Sequence, residues 1–279
     1  MPLARAKVNL WLKVVGRRAD GYHLLESLVA FADLADRLEA APAERLSLAV
    51  DGPWSAALAD EADNLVLKAA RLLAGHAGVA PRAALHLAKH IPVAAGLGGG
   101  SADAAATLHA LADLWRLATP IDELFDLATR LGADVPMCLA GRPALVSGIG
   151  EKLAPAPPLP DCGLLLVNPG VALATAPVFA ARHGDFSPPQ PLPGSWSDLA
   201  GFVEVLAARG NDLAAAATNL CPPIGEVLAF LRKTVAVRYA AMSGSGATCF
   251  ALYDTPASAR RAAAAVPAAW WHHAGQLVA

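Results

Sequence analysis

The chain has 279 residues, with 22 Lys and Arg against 24 Asp and Glu, a formal net charge of −2, 55% hydrophobic residues and 16% charged ones. A near-neutral balance argues against a general nucleic-acid binder, which needs a basic face to neutralise phosphates, and the apolar share argues against global disorder. The length exceeds what one modest core holds and suits two domains.

The apolar N-terminal stretch is broken by Lys7 and Lys13 and has no cleavage-site pattern, so no signal peptide is expected. Residues 4–14 alternate: Ala4, Ala6, Val8, Leu10, Leu12 and Val14 are apolar, while Arg5, Lys7, Asn9 and Lys13 fall on the other face. Period two predicts a strand with one buried face. Residues 16–21 read as a turn, and residues 24–32 as the return strand. Residues 64–74 read as a helix and 84–88 as a strand. After Ile91-Pro92 comes Gly96-Leu97-Gly98-Gly99-Gly100-Ser101, then an alanine-rich helix to about Trp115. Thr119-Pro120-Ile121-Asp122 predicts a helix start, with Thr119 as cap and Pro120 at the first helical position; Gly132 stops that helix.

Residues 153–160, LAPAPPLP, form a proline-rich candidate domain boundary. Residues 162–181 carry no charge over about the length of a membrane span, but Asn168-Pro169-Gly170 interrupts them. A strand, a turn and a second segment are expected there. Residues 187–195 read as a Pro-rich loop, and 249–253 as a strand. Cys138, Cys162, Cys221 and Cys249 are scattered without CxxC or metal-ligand spacing, which predicts reduced thiols in a cytoplasmic protein.

The glycine segment carries the strongest chemical signal. Glycines let backbone N–H groups approach an anion, and the following helix adds unpaired N–H groups and a partial positive charge. The segment lacks GxxxxGK[ST], and Ser101 stands where a dinucleotide fingerprint counted from Gly96 needs its last glycine. A second cluster, Ser243-Gly244-Ser245-Gly246-Ala247-Thr248, taken alone also suits an ordinary hairpin. Alone, Lys7 reads as a solvated lysine and Asp134 as a helix N-cap.

Together these segments change the reading. Ala6-Lys7-Val8-Asn9-Leu10, then Gly16-Arg17-Arg18-Ala19-Asp20-Gly21-Tyr22-His23, the Gly96 to Ser101 loop, Gly132-Ala133-Asp134-Val135-Pro136 and the Met242 to Thr248 turn occur in one order along nearly the whole chain. In this the chain resembles the GHMP kinases. The GRRADGYH block points to the branch whose acceptor is the 2-hydroxyl of a cytidylyl-methylerythritol, in non-mevalonate isoprenoid precursor synthesis.

The resemblance implies an α+β, two-domain GHMP kinase fold. Residues 1–157 would form a ribosomal-protein-S5-like, ATP-binding and catalytic domain. Residues 158–279 would form a ferredoxin-like domain on the substrate side. It implies Lys7 and Asp134 as the catalytic pair. It implies nucleotide contacts from Asn64, Lys89, Pro92 and Gly96, Leu97, Gly98, Gly99, Gly100 and Ser101. It implies substrate contacts from Asn9, Tyr22, His23 and Phe179, the last three on the cytidine side. ATP and Mg²⁺ are the implied cofactors, the metal ligands being left open. The partner is a small molecule, with no nucleic acid and no membrane, for a monomer or weak homodimer. The chain departs from the family pattern at Arg5, where proline is usual, at Ala94-Ala95, where glycines are frequent, and at Ala102, where a second serine is common. The other readings are a homoserine- or mevalonate-type kinase, a non-catalytic nucleotide-binding protein on the same fold, and more distantly a dinucleotide-binding oxidoreductase.

Overall fold

The computed structural model describes residues 3–58, 64–188, 190–191 and 194–278. These pack as two compact units, one from segments 1–7, 34–93 and 98–141, the other from segments 8–33, 94–97 and 142–279.

The first unit takes the start of β1 (Leu3–Arg17) and the end of β2 (His23–Ala41), with β3 (Ser47–Asp51), a 3-10 turn at Ser55–Leu58, α1 (Leu65–Ala77), β4 (Ala84–Ala88), α2 (Gly99–Leu114), α3 (Ile121–Leu131) and α4 (Val135–Ala140). β4 pairs antiparallel with β2, from Arg37↔Ala88 to Ala41↔Ala84, and parallel with β3. Its Leu85 and Leu87 point into the core while Ala84, His86 and Ala88 are half-buried, the alternation the sequence announces. In α1, Val66, Ala69, Ala70, Leu73 and Ala74 make the buried stripe. Asn64 caps that helix, its Oδ1 accepting from Val66 N–H at 2.9 Å. The alanines of α2 are small enough for α1 to pack closely, and Leu108, Leu111, Leu124, Leu127, Val135 and Leu139 complete the core.

Thr119 is not the cap of α3. Pro120 occupies the N-cap position at φ −57, ψ 149, and no side chain caps the helix. The φ of Pro120 would suit a helix, but its ψ of 149 is extended, so the helix starts one residue later than the Thr-Pro reading expects. Gly132 ends it, as expected.

The second unit takes the rest of β1 and β2, with β5 (Ala144–Gly148), β6 (Lys152–Pro155), β7 (Gly163–Asn168), α5 (Thr175–Ala180), α6 (Leu199–Arg209), α7 (Ala214–Leu220), α8 (Pro223–Leu231), β8 (Tyr239–Met242), β9 (Cys249–Tyr253), α9 (Pro256–Ala263) and β10 (Trp271–Val278). β5 pairs antiparallel with β2 and with β6, so the start of the proline-rich segment is itself a strand. β7 lies between β9 and β10, antiparallel to both, and every residue of its GLLLVN run is buried. It ends at Asn168, and Gly170, at φ 78, turns the chain. The core gathers Leu12, Val14, Leu165, Val167, Ile224, Val227, Leu231, Phe202 and Tyr253 among its residues. Of the Pro-rich loop at 187–195, Pro189, Leu192 and Pro193 lie outside the described residues.

The four cysteines are free. Among the described residues no helix is long and apolar enough to cross a membrane.

Candidate active site

In the first unit, β1 brings Lys7 to Asp134. Both faces of this part of the strand are covered, so Lys7 is only 7% exposed where a solvated lysine was one reading. Its Nζ lies 3.4 Å from Asp134 Oδ2. Asp134 stands at the N-cap position of α4, yet its side chain makes no capping hydrogen bond. Its carboxylate is half-exposed, and an ion pair with one such partner adds at most about 1 kcal/mol to folding. The pair is therefore poorly explained as a stability device.

Gly98 closes on the same lysine. At φ 65 it takes the left-handed conformation, and a Cβ there would stand 2.6 Å from Lys7 Cγ. The stem of Lys7 thus lies across the residue that opens α2. The first-turn N–H groups of that helix have no intrahelical acceptors, which suits an anion. One unit so places an ammonium, an accessible carboxylate and a helix N-terminus together. Cys138 of α4 lies close by, but burial first, and the Asp134 charge next, push its thiol far up, so it stays protonated.

Lys89 sits elsewhere in this unit and is 2% exposed. Its Nζ donates to Asp36 Oδ2 at 2.5 Å and to Asp103 Oδ2 at 2.6 Å. Asp36 Oδ1 accepts from the N–H of His90 at 2.5 Å and of Ile91 at 2.8 Å. Burial opposes the charge of Lys89, but Asp103 and Asp36 outweigh it and its pKa is raised. The ammonium is thus occupied by two carboxylates. The ammonium lies beneath α2: a Cβ on Gly99 would stand 3.0 Å from Lys89 Nζ. Pro92 is buried just beyond.

Asn64 lines a pocket of about 390 Å³ with Leu48, Val50, Ala56, Leu58 and Leu67. Ser55 and Asn64 are its polar side chains, and its exposed lining is more polar than apolar, so a heterocycle there would meet hydrogen-bonding groups as well as Leu48, Val50 and Leu67.

In the second unit, Asn9 is held on both sides. Its N–H donates to Ser243 Oγ at 3.1 Å, and its Nδ2 to Ser27 Oγ at 2.8 Å. His23 and Phe179, far apart in sequence, stack at 5.1 Å between centroids and 25° between planes. Burial first, then the positive charges of Arg17 and Arg182, hold the His23 imidazole below its usual range, so the ring is neutral at pH 7. Tyr22 beside it is 62% exposed. A neutral ring pair with an exposed phenol next to it is a stacking surface for a flat heterocycle.

The two glycine clusters meet here. A Cβ on Gly96 would stand 2.3 Å from Gly246 O. Thr248 Oγ1 donates to Ala95 O at 2.6 Å and accepts from Asn168 Nδ2 at 2.9 Å. Asn211 Nδ2 donates to Met242 O at 2.9 Å and to Gly244 O at 2.8 Å, clamping the loop that begins at Ser243. The sequence reading missed Asn168, Asn211 and Asp36. For Asn211 the available signal was a short polar pair, Asn211-Asp212, between two apolar helical stretches. Of the departures from the expected loop, Ala94 adopts φ 55, a left-handed conformation that suits glycine better.

The family description "GHMP kinases N terminal domain" matches residues 64–142, and "GHMP kinases C terminal" matches residues 194–272. A protein of Paramagnetospirillum magneticum named 4-diphosphocytidyl-2-C-methyl-D-erythritol kinase is 54% identical over 278 residues, covering 99% of this chain and 97% of that one. A protein of the same name from Rhodospirillum rubrum is 51% identical, covering 99% and 91%. The crystal structure of a 4-(cytidine 5'-diphospho)-2C-methyl-D-erythritol kinase superposes with a TM-score of 0.82 at 39% identity, over 99% of this chain and 98% of the other.

Proposed function

The chain belongs to the GHMP kinase family, and we propose that within it the protein transfers the γ-phosphoryl group of ATP to the 2-hydroxyl of 4-diphosphocytidyl-2-C-methyl-D-erythritol. The observation that carries phosphoryl transfer is the Lys7–Asp134 pair, 3.4 Å apart, with the stem of Lys7 against Gly98 at the head of α2. The choice of acceptor is supported by the identity of about half the chain to the named kinases and by the His23–Phe179 stack.

In this reading the acceptor oxygen attacks the γ-phosphorus while the bond to the β–γ bridging oxygen breaks and ADP leaves. Asp134 receives or orients the hydroxyl proton. Lys7 offsets the negative charge on the transferring group and on the emerging alkoxide. Positioning and electrostatics do most of such a reaction. The first-turn N–H groups of α2 hold the phosphates, and the Asn64 pocket takes the adenine. His23, Phe179 and Tyr22 hold the cytosine, with Asn9 on polar groups of the acceptor.

Mg²⁺ neutralises phosphate charge when bound. Among the described residues no group of three His, Cys, Asp or Glu is arranged to hold a metal. That fits a magnesium ion carried in on the nucleotide, since Mg²⁺ keeps several waters and takes few protein ligands. Residues 1–157 would then serve nucleotide and catalysis, and 158–279 the substrate side, in a cytoplasmic monomer or weak homodimer.

ADP release from Mg-ATP, measured with the cytidylyl compound and in parallel with homoserine and mevalonate, tests the reading. Turnover with the cytidylyl compound alone is expected. Turnover with another alcohol overturns the acceptor, and nucleotide binding without turnover on any of them overturns the catalytic reading.

A further inference from the structure

We propose that the buried cluster Asp36–Lys89–Asp103 is a positioning device for phosphoryl transfer: it seats the first turn of α2 against the nucleotide's phosphates, and Asp103 is the residue that fixes the seat. This rests on residues 98–101 being the phosphate cradle.

Gly99 and Asp103 are four residues apart on α2, so they lie on one face, a turn apart. The Lys89 ammonium meets both. It is 2.6 Å from Asp103 Oδ2, and a Cβ on Gly99 would come within 3.0 Å of it. The opening turn of the helix therefore rests on a buried cation that β4 delivers from below.

Asp36 by itself would balance the charge of that cation while taking one of its three N–H donors. One of its oxygens takes the ammonium, and the other takes the His90 and Ile91 N–H groups. Those bonds join the end of β4 to β2 and do not involve α2. Asp103 is a second, costly carboxylate on the same lysine. Its Oδ1 is buried and has no hydrogen-bond partner. Burial pushes its carboxyl up to about 8, with Lys89 drawing it down and Asp36 raising it. Among the described residues only Asp103 Oδ1 and Trp196 Nε1 are buried side-chain polar atoms without a partner, and a carboxylate oxygen in that state calls for a reason other than stability. What Asp103 adds is the link to α2, the one element of the three that presents N–H groups to an anion. A helix free to rotate on its seat would carry those donors off their target, and displacement of about 1 Å costs up to about a hundredfold in such sites.

The test compares binding of a non-hydrolysable ATP analogue with Mg²⁺, and of adenosine, to the full-length protein by calorimetry. Asp103→Ala is expected to weaken the analogue about tenfold and to leave adenosine within about twofold, because adenosine has no phosphates to misalign. Asp103→Asn keeps an oxygen for the ammonium and should recover the analogue to within about threefold. Thermal unfolding of each variant establishes that it is folded. Three results overturn the proposal: an unchanged or tighter analogue Kd in a folded Asp103→Ala protein, an equal loss for adenosine, or no recovery with Asn. Failure of the unaltered protein to bind the analogue removes the cradle reading and this inference with it.

Discussion

Two lysines in the first unit each meet aspartate, and they do opposite work. Lys7 approaches Asp134 at 3.4 Å, a carboxylate that is 49% exposed. Lys89 is gripped at 2.5 and 2.6 Å by two carboxylates, neither more than 4% exposed. A loose pair with one wet partner can exchange a proton and meet a substrate. A tight, dry cluster can do neither, because separating its charges leaves them stranded in a poorly solvating interior. Burial, more than residue type, divides the pair open to solvent from the closed one.

The comparison breaks most readily at Asp134. Asp134→Asn keeps the volume and removes the charge, and kcat should fall about a thousandfold with analogue binding and thermal stability nearly unchanged. Near-normal turnover would remove Asp134 from the chemistry. Stability should show the reverse ranking. Lys89→Met leaves two buried aspartate side chains without their cation and should cost about 3–5 kcal/mol in denaturant unfolding. Lys7→Ala should cost about 1 kcal/mol or less while abolishing most turnover. Similar stability losses for both would erase the distinction.

The pH dependence sharpens it. The groups facing the Asp103 carboxyl are Asp36 and Lys89, with the protonated Cys138 thiol of α4 also within its field. The folded carboxyl titrates at about 8, above its ordinary 3.8. Between those values the folded state holds a proton that the unfolded chain has released, so stability should fall as pH rises through that window. Lys89, raised above 10.5, keeps its own charge throughout and contributes no slope there. Unfolding free energies at pH 5 and pH 8 check this, and Asp103→Asn should flatten the slope. The smallest effect belongs to the loop. Ala94→Gly relieves a left-handed alanine and should stabilise by about 1 kcal/mol or less, read as a small rise in Tm.

Much of this was legible in the sequence where local pattern decides. Leu85 and Leu87 alternate, so β4 runs Ala84–Ala88 as read. Residues 64–74 read as a helix, and α1 runs Leu65–Ala77 with Asn64 as its cap rather than its first residue. Lys7, Asp134 and the glycine segment were singled out because their order along the chain is distinctive, and Lys7 does meet Asp134; Phe179, singled out by spacing, stacks on His23. What stayed hidden depends on tertiary pairing. Asp36 lies in a strand and Asp103 in an alanine-rich helix, each indistinguishable in sequence from a surface charge. Only folding joins them to Lys89. The strand at the head of the proline-rich stretch was not read: Lys152–Pro155 pairs with β5, proline at the strand's end costing one ladder bond at most.

The free thiols have a practical consequence. Cys138 belongs to the first unit, and Cys162, Cys221 and Cys249 to the second. Burial pushes the Cys162 thiol up to about 12 and those of Cys138 and Cys249 further still. Thiolate is the form that alkylates, and Cys162, Cys221 and Cys249 are buried, so those three react with a maleimide only when their surroundings open. Mass-resolved labelling of the unmodified protein would then time the opening of the second unit, with no probe introduced.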